Sequence, residues 1–545
     1  MTTGLSIGQY LIEQLAANGI RHVFGIPGDY VLGLFDLLEK GPLKTIVCCD
    51  EQGAGFAADA YARAKGLGCV CVTYGVGGLK VINSTAQAYA ERSPVVVLSG
   101  APGLRERAND PLLHHKVRGF DTQLNIFQQL TAASAALVDP ETAPREIGRV
   151  LDAARRHKRP VYLELPRDVV QAAGSTAHPY AAKPEAPDPA ALQEALAEAV
   201  AMINAARRPV ILASVEVHRL GLQGKVVDLA ARTGIPIATT LLGKSVVREN
   251  MPLFIGVYEG AMGPEAAREY VEGSDAVISL GVLNTDLDMG MFTARLRREN
   301  TISANIGRLA IRHHLYERVA LGDFLGGLLA ADLKVRTGGD FPHPPPPRPF
   351  RPQAGRRVCV ERLFQRLNSF LDDSTVVVAD PGDALFGAAD LVIHSDAEFI
   401  APAYYCSLGF AVPGAVGVQL ARPDLRPLVL VGDGAFQMTG QELSTAVRYG
   451  LNPIVVLLNN AGYGTERRLV DGPFNDLLAW HYTQMTDLLG AGKGFIVDTE
   501  DQLDAALEDA RAYTDSFSLL DVHLDRDDVS PALKRLTATL GKQVR

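Results

Sequence analysis

Short apolar runs recur along the chain and alternate with longer segments whose apolar residues return at helical spacing. In the first third the runs are "HVFGIPG", "TIVCCDE", "CVCVTYG", "PVVVLSG" and "PVYLELP"; in the second they are "PVILAS", "PIATTL" and "DAVISLG". The last third supplies "TVVVAD", "PLVLVGDG", "PIVVLLNN" and "SLLDVHL". Continuous apolar runs of this length read as strands buried on both faces, and their alternation with helices predicts α/β architecture with parallel sheets. The opening "MTTGLSIGQYLIEQLAANG" leads into an amphipathic helix and lacks the basic start, apolar stretch and cleavage site of a signal peptide.

Two proline-bearing stretches, Gly174–Pro189 and Gly338–Gln353, interrupt the rhythm and read as linkers. They predict three doubly wound domains, over residues 1–173, 190–337 and 354–545. A chain of 545 residues needs several cores, and 47% hydrophobic residues with 52 glycines and 32 prolines suit α/β folding. The net charge of -9 offers no footprint for nucleic acid or an anionic membrane, and no run of about 20 apolar residues would span one. Of six cysteines, Cys48, Cys49, Cys69 and Cys71 lie in strand-like runs and read as buried hydrophobes in a reducing compartment. A cytoplasmic protein is expected.

"GAGFAA", Gly53–Ala58, matches a dinucleotide fingerprint, but Asp50 and Glu51 would set two carboxylates against a pyrophosphate. A different segment carries the chemistry. From Leu428 a strand runs into Gly432-Asp433-Gly434, a helix follows, and a second strand ends at Asn459-Asn460. In a right-handed βαβ unit the two strand ends share one sheet edge, which brings Asp433 near Asn460. Carboxylate and amide oxygens are ligands magnesium takes beside phosphates, and Gly434 and Ala435 would offer N–H groups at a helix start. "GDG" alone is a common turn; the paired asparagines at the next strand end turn the reading toward a diphosphate site.

This spacing resembles the thiamin diphosphate motif, and the resemblance extends over nearly the whole chain to the pyruvate decarboxylase-like 2-oxo acid decarboxylases, especially those of phenylpyruvate and indolepyruvate. It implies a pyrimidine-binding first domain, a Rossmann-like middle domain and a diphosphate-binding third domain. The implied magnesium ligands are Asp433, the Asn460 side chain and the Gly462 carbonyl. Glu51 matches the glutamate that reaches the aminopyrimidine; Asp383, the Cys406 carbonyl and Leu408 match further cofactor contacts. Asp29, the pair His114-His115 in "LLHHK" and Glu466 match a catalytic cluster. Read alone, adjacent histidines favour loop decoration, since neighbours on a helix or strand point apart; chemistry that leaves a carbon in need of a proton gives them a task.

The resemblance also implies a homodimer or homotetramer with active sites at subunit interfaces. Thr73, Leu385, Thr465 and Leu469 are expected in the substrate pocket. Leu385 and Thr465 are smaller than the tryptophan and isoleucine of pyruvate-preferring relatives, which predicts a larger 2-oxo acid, aromatic ahead of branched-chain. Gly464-Thr465 departs from the more apolar pair usual in pyruvate-specific relatives, and the glycine is expected to loosen the loop carrying Glu466; Asn284–Asp288 either approaches the pocket or forms a plain turn. Two rival readings are an acetolactate synthase-type carboligase, in which the histidine pair is generally absent, and a non-catalytic thiamin diphosphate sensor, which would not need the acidic and histidine residues together.

Overall fold

The computed structural model describes residues 2–175, 179–182, 187–394 and 398–544. Three parallel α/β sheets follow one another along the chain. The first joins β1 (His22–Gly25), β2 (Lys44–Val47), β3 (Gly68–Val72), β4 (Val95–Ala101), β5 (Ser134–Ala136) and β6 (Val161–Pro166) in the order β2-β1-β3-β4-β6-β5. All of its pairings are parallel. The middle sheet comprises β7 (Pro209–Ala213), β8 (Ile237–Thr239), β9 (Phe254–Val257), β10 (Ala276–Leu280), β11 (Thr301–Asn305), β12 (Arg308–Ile311) and β13 (His314–Tyr316). It is ordered β9-β8-β7-β10-β11-β12-β13; β11 with β12 and β12 with β13 pair antiparallel, and the other pairings are parallel. The third joins β14 (Thr375–Ala379), β15 (Glu398–Ile400), β16 (Arg426–Gly432), β17 (Ile454–Asn459), β18 (Lys493–Val497) and β19 (Ser518–His523) as β15-β14-β16-β17-β19-β18.

The chain enters through the helix Ile7–Ala17, whose start is fixed by a capping box between Ser6 and Gln9. The stretch Gly174–Pro189 lies partly outside the described residues, and Pro189 opens the helix Pro189–Ala205. Gly338–Gln353 holds no helix or strand. Among the described residues no helix is long and apolar enough to cross a membrane.

The first and third sheets meet through two helices, α1 (Glu51–Lys65) and α3 (Ala411–Ala421), both rich in small residues; between them in sequence lies α2 (Asp383–Ala388). Residues Gly53 to Arg63 of α1 are all buried, so the helix has no solvent face and no amphipathic stripe. The glycines of the apparent dinucleotide fingerprint serve close approach: a Cβ on Gly55 would stand 2.0 Å from Ser84 Oγ, and one on Gly417 of α3 would stand 2.0 Å from the Ala57 carbonyl oxygen. Arg63, buried near the C-terminal end of α1, pairs with Asp59 and Glu91 at 2.8 Å each and donates to the Ala401 carbonyl. Glu91 in turn accepts from the Tyr404 and Tyr405 amides, so one satisfied charge network ties the first module to the third.

Cys48, Cys69 and Cys71 are buried, but Cys49 is exposed. It lies beyond the end of β2, and its thiol reaches the Gln441 carbonyl at 3.3 Å instead of a core.

Candidate active site

β16 and β17 are parallel neighbours, with Gly432 opposite Leu458. Asp433 therefore starts α4 (Asp433–Thr439) beside the loop that leaves β17. It is 2% exposed, and its two oxygens accept from the Gly434 amide at 2.8 Å and the Gly462 amide at 2.9 Å. Burial pushes this carboxyl up to about 6, against the pull of those N–H groups.

The loop after Asn460 is held in an uncommon conformation. Ala461 has φ +56, and Gly462, at φ +152, has no room for a side chain, since a Cβ would stand 2.1 Å from the Asn475 carbonyl oxygen. Arg467 holds the loop from behind, donating to the carbonyls of Asn460 at 2.9 Å and Ala461 at 2.6 Å while pairing with Asp476. α5 (Gly464–Leu469) follows and carries Thr465, Glu466 and Leu469 into a cleft of about 320 Å³. Gly464 admits the Asn460 amide, whose nitrogen would lie 2.5 Å from a Cβ there. Close packing, rather than a loose loop, accounts for the glycine.

Asp433, Gly434, Ala435, Asn460 and Gly462 line this cleft together with Asp383, Cys406 and Leu408. Asp383 begins α2; both its oxygens are taken by the Ser530 amide and hydroxyl, and burial raises its carboxyl to about 6. Cys406 has φ +57, a costly geometry that turns the backbone just before Leu408. Asp380 fixes the following residues by accepting from the Gly409 and Ala411 amides at 2.9 and 2.7 Å. Leu287, from the Asn284–Asp288 stretch of the middle module, also reaches the cleft wall.

Leu385, two residues after Asp383 in the first turn of α2, is fully buried in one chain, where Ala384 and Phe386 line the cleft.

A second cluster gathers on the first sheet. His114 Nε2 and Asp29 Oδ2 are 2.8 Å apart, and Arg167 stands 3.7 Å from the same oxygen. The His114 ring stacks on Tyr30 with centroids 4.8 Å apart and meets His115 edge-on at 4.7 Å. Adjacent histidines converge here because His115 has φ +67 and sits in a loop; the argument that neighbours point apart holds only for helices and strands. Gly75 lies under His115, where a Cβ would stand 2.4 Å from its carbonyl oxygen. Thr73 packs against Gly28, and Gly77 lies between Thr73 and Glu51, within 3.4 Å of each when given a Cβ. Glu51, the first residue of α1, pairs with Lys80 at 2.9 Å. The Thr73 hydroxyl and His115 Nδ1 are buried without a hydrogen-bond partner among the described residues.

The two clusters do not share a wall. Within one chain, none of Asp29, Glu51, Thr73, His114 and His115 lines the cleft that holds Asp433 and Glu466. Tyr30, Asp380, Arg467 and Ser530 escaped the reading of the sequence. Tyr30 and Arg467 adjoin chosen residues, and Asp380 stands at the carboxyl end of a buried strand, where α/β sites gather; Ser530 had no such signal.

The cleft can hold a diphosphate with a hard cation: Asp433, an amide side chain and a main-chain carbonyl offer an all-oxygen donor set, and backbone N–H groups hold both Asp433 oxygens in place. Comparison with known proteins agrees. The thiamine pyrophosphate enzyme N-terminal TPP binding domain matches residues 5–129, the central domain matches 196–323, and the C-terminal TPP binding domain matches 381–522. Indole-3-pyruvate decarboxylase of Azospirillum brasilense is 38% identical over 97% of both chains. An alpha-keto-acid decarboxylase of Mycobacterium tuberculosis is 34% identical over 99% of this chain and 98% of its own. The chain belongs to the thiamine pyrophosphate enzymes, in the group that includes the indole-3-pyruvate and alpha-keto-acid decarboxylases.

Proposed function

We infer that this enzyme removes carbon dioxide from a 2-oxo acid without oxidation and releases an aldehyde, using thiamin diphosphate and Mg2+. The observation that carries the reading is the buried Asp433 carboxylate, fixed by two backbone amides beside Asn460 in a cleft that also holds Glu466. When bound, thiamin diphosphate supplies the carbon nucleophile and the electron sink for loss of carbon dioxide. The chain's residues bind and move protons. Asp433, Asn460 and the Gly462 carbonyl would hold the cation, Gly434 and Ala435 would offer N–H groups to the diphosphate, and Asp383, the Cys406 carbonyl and Leu408 would position the cofactor. Glu51 would share a proton with the aminopyrimidine. Asp29, His114, His115 and Glu466 would deliver a proton to the carbon that carbon dioxide leaves and help release the aldehyde; the 2.8 Å contact between His114 and Asp29 supports their acting together. That cluster favours protonation over carboligation.

Modules at 1–173, 190–337 and 354–545 divide these tasks. We place them in at least a homodimer, since Asp29 and His114 side chains are 41% and 58% exposed in one chain, a poor setting for controlled protonation. Leu112 and Val117, flanking the histidines, are 95% and 67% exposed, and Phe474 and Leu478, near the cleft loop, are 69% and 78% exposed. A second copy would cover both and bring the half-sites together. A cytoplasmic setting suits the free cysteines.

For substrate, we propose an aromatic 2-oxo acid, indole-3-pyruvate or phenylpyruvate, ahead of branched-chain acids. Thr465 and the apolar walls of Leu469, Leu533 and Leu536 support this. The test is carbon dioxide and aldehyde release from a panel of 2-oxo acids with thiamin diphosphate and Mg2+, using the wild type and Glu51→Gln. Expected are higher kcat/KM for phenylpyruvate than for pyruvate and loss of turnover in the variant. A preference for pyruvate overturns the substrate, and full turnover in Glu51→Gln overturns the role of Glu51.

A further inference from the structure

The start of α1 is held from the far end of the chain. Glu442 follows the turn after α4 and is 1% exposed. Its carboxylate accepts from the Cys49 amide at 3.1 and 3.2 Å, from the Asp50 amide at 3.1 Å, and from the Thr445 hydroxyl at 2.6 Å. Gly53, in the first turn of α1, leaves room for it: a Cβ there would stand 2.1 Å from Glu442 Oε1. On the other side Lys80 pairs with both Asp50 and Glu51, and Asp50 caps the helix through the Gln52 amide at 2.8 Å.

Burying a carboxylate is costly unless its oxygens are satisfied, and here the donors are the two amides immediately before Glu51 together with one hydroxyl. Glu51 is the first helical residue, so the backbone at Cys49 and Asp50 sets the direction in which its side chain leaves. Proton transfer to a bound ring tolerates displacements of only about 0.5 Å.

We propose that Glu442 is the positioning residue for Glu51: reaching across from the diphosphate-binding module, it fixes the backbone that aims the cofactor-activating glutamate. This rests on the role of Glu51 given above. Asp433 and Glu442 stand at the two ends of one continuous segment, so the stretch that presents the cation ligand also braces the activating acid.

The variants are Glu442→Gln, which keeps the shape but turns an NH2 toward backbone donors, and Glu442→Asp, which keeps the charge. In Glu442→Gln we expect kcat to fall about tenfold to a hundredfold. KM should stay within about twofold of wild type. The bound cofactor should exchange its thiazolium C2 proton with D2O more slowly in the same proportion. In the cofactor-free protein, amides 47–53 should exchange faster while the melting temperature holds. Glu442→Asp should recover part of kcat and of C2-proton exchange. If Glu442→Gln keeps both while amides 47–53 loosen, Glu442 merely joins domains and the proposal fails. It fails equally if kcat falls without a change in C2-proton exchange. Should Glu442→Gln not fold, Gly53→Ala, which presses on Glu442 without removing its charge, gives the same readouts with the same meanings. Glu51→Gln run beside them separates the two ideas: an active Glu51→Gln removes the role of Glu51, whereas an inactive one beside a fully active Glu442→Gln removes only the positioning.

Discussion

Asp433 is held as a carboxylate by two amides and yet is pushed toward protonation by the absence of water around it. Its folded-state value of about 6 lies above the ordinary carboxyl value of about 3.9, so the folded state binds this proton more tightly than the unfolded chain. The stability this contributes is present below the ordinary value and is lost as pH rises through about 6. A bound cation reverses the effect by favouring the ionised form. In metal-free protein, Asp433→Asn should therefore shrink the loss of stability between about pH 4 and 7 by about 2 to 3 kcal/mol. It should also abolish the stabilisation by Mg2+ with thiamin diphosphate. Chemical denaturation at several pH values, with EDTA or with the ligands, measures both; a variant as pH-dependent as the wild type refutes the assignment. Asp433 and Asn460 were legible in the sequence because parallel strand ends must meet. The burial of Leu385 was not legible, because matching a motif assigns a position but not the rotation of a six-residue helix. Glu442 was invisible because its partners lie some 390 residues away.

At the level of elements, legibility followed burial. Central strands such as β4 and β16 are buried along almost their whole length and read as apolar runs. The strands not recognised include the sheet edges β5, β15 and β18, the last buried only at Val497. An edge strand needs no two-sided apolar pattern, so its sequence carries little periodic signal. α1 posed the opposite difficulty, because a helix buried on every side by small residues resembles a glycine-rich loop in one dimension. Its fit to α3 makes a specific demand. Gly417→Ala should push a methyl group against the Ala57 carbonyl and lower stability by about 1 to 3 kcal/mol. The unfolding midpoint in urea should fall with an unchanged slope; an unaltered midpoint means the helices can part without strain.

For the whole molecule, the Arg63 network and the α1–α3 contact bind the first and third modules into one body, while the Asp29–His114 cluster and the Asp433 cleft remain on separate walls. In the homodimer proposed above, catalytic competence would be a property of encounters between chains and would follow mass action. Specific activity should decline when the enzyme is diluted below the dissociation constant of the pair. On reconcentration it should return with a lag whose rate rises with protein concentration. Assays across several decades of enzyme concentration, preincubated at each dilution, measure this; constant specific activity down to concentrations where sedimentation finds single chains rules it out. In the proposed dimer, the separation of the half-sites would make the amount of protein present a control on each molecule's activity.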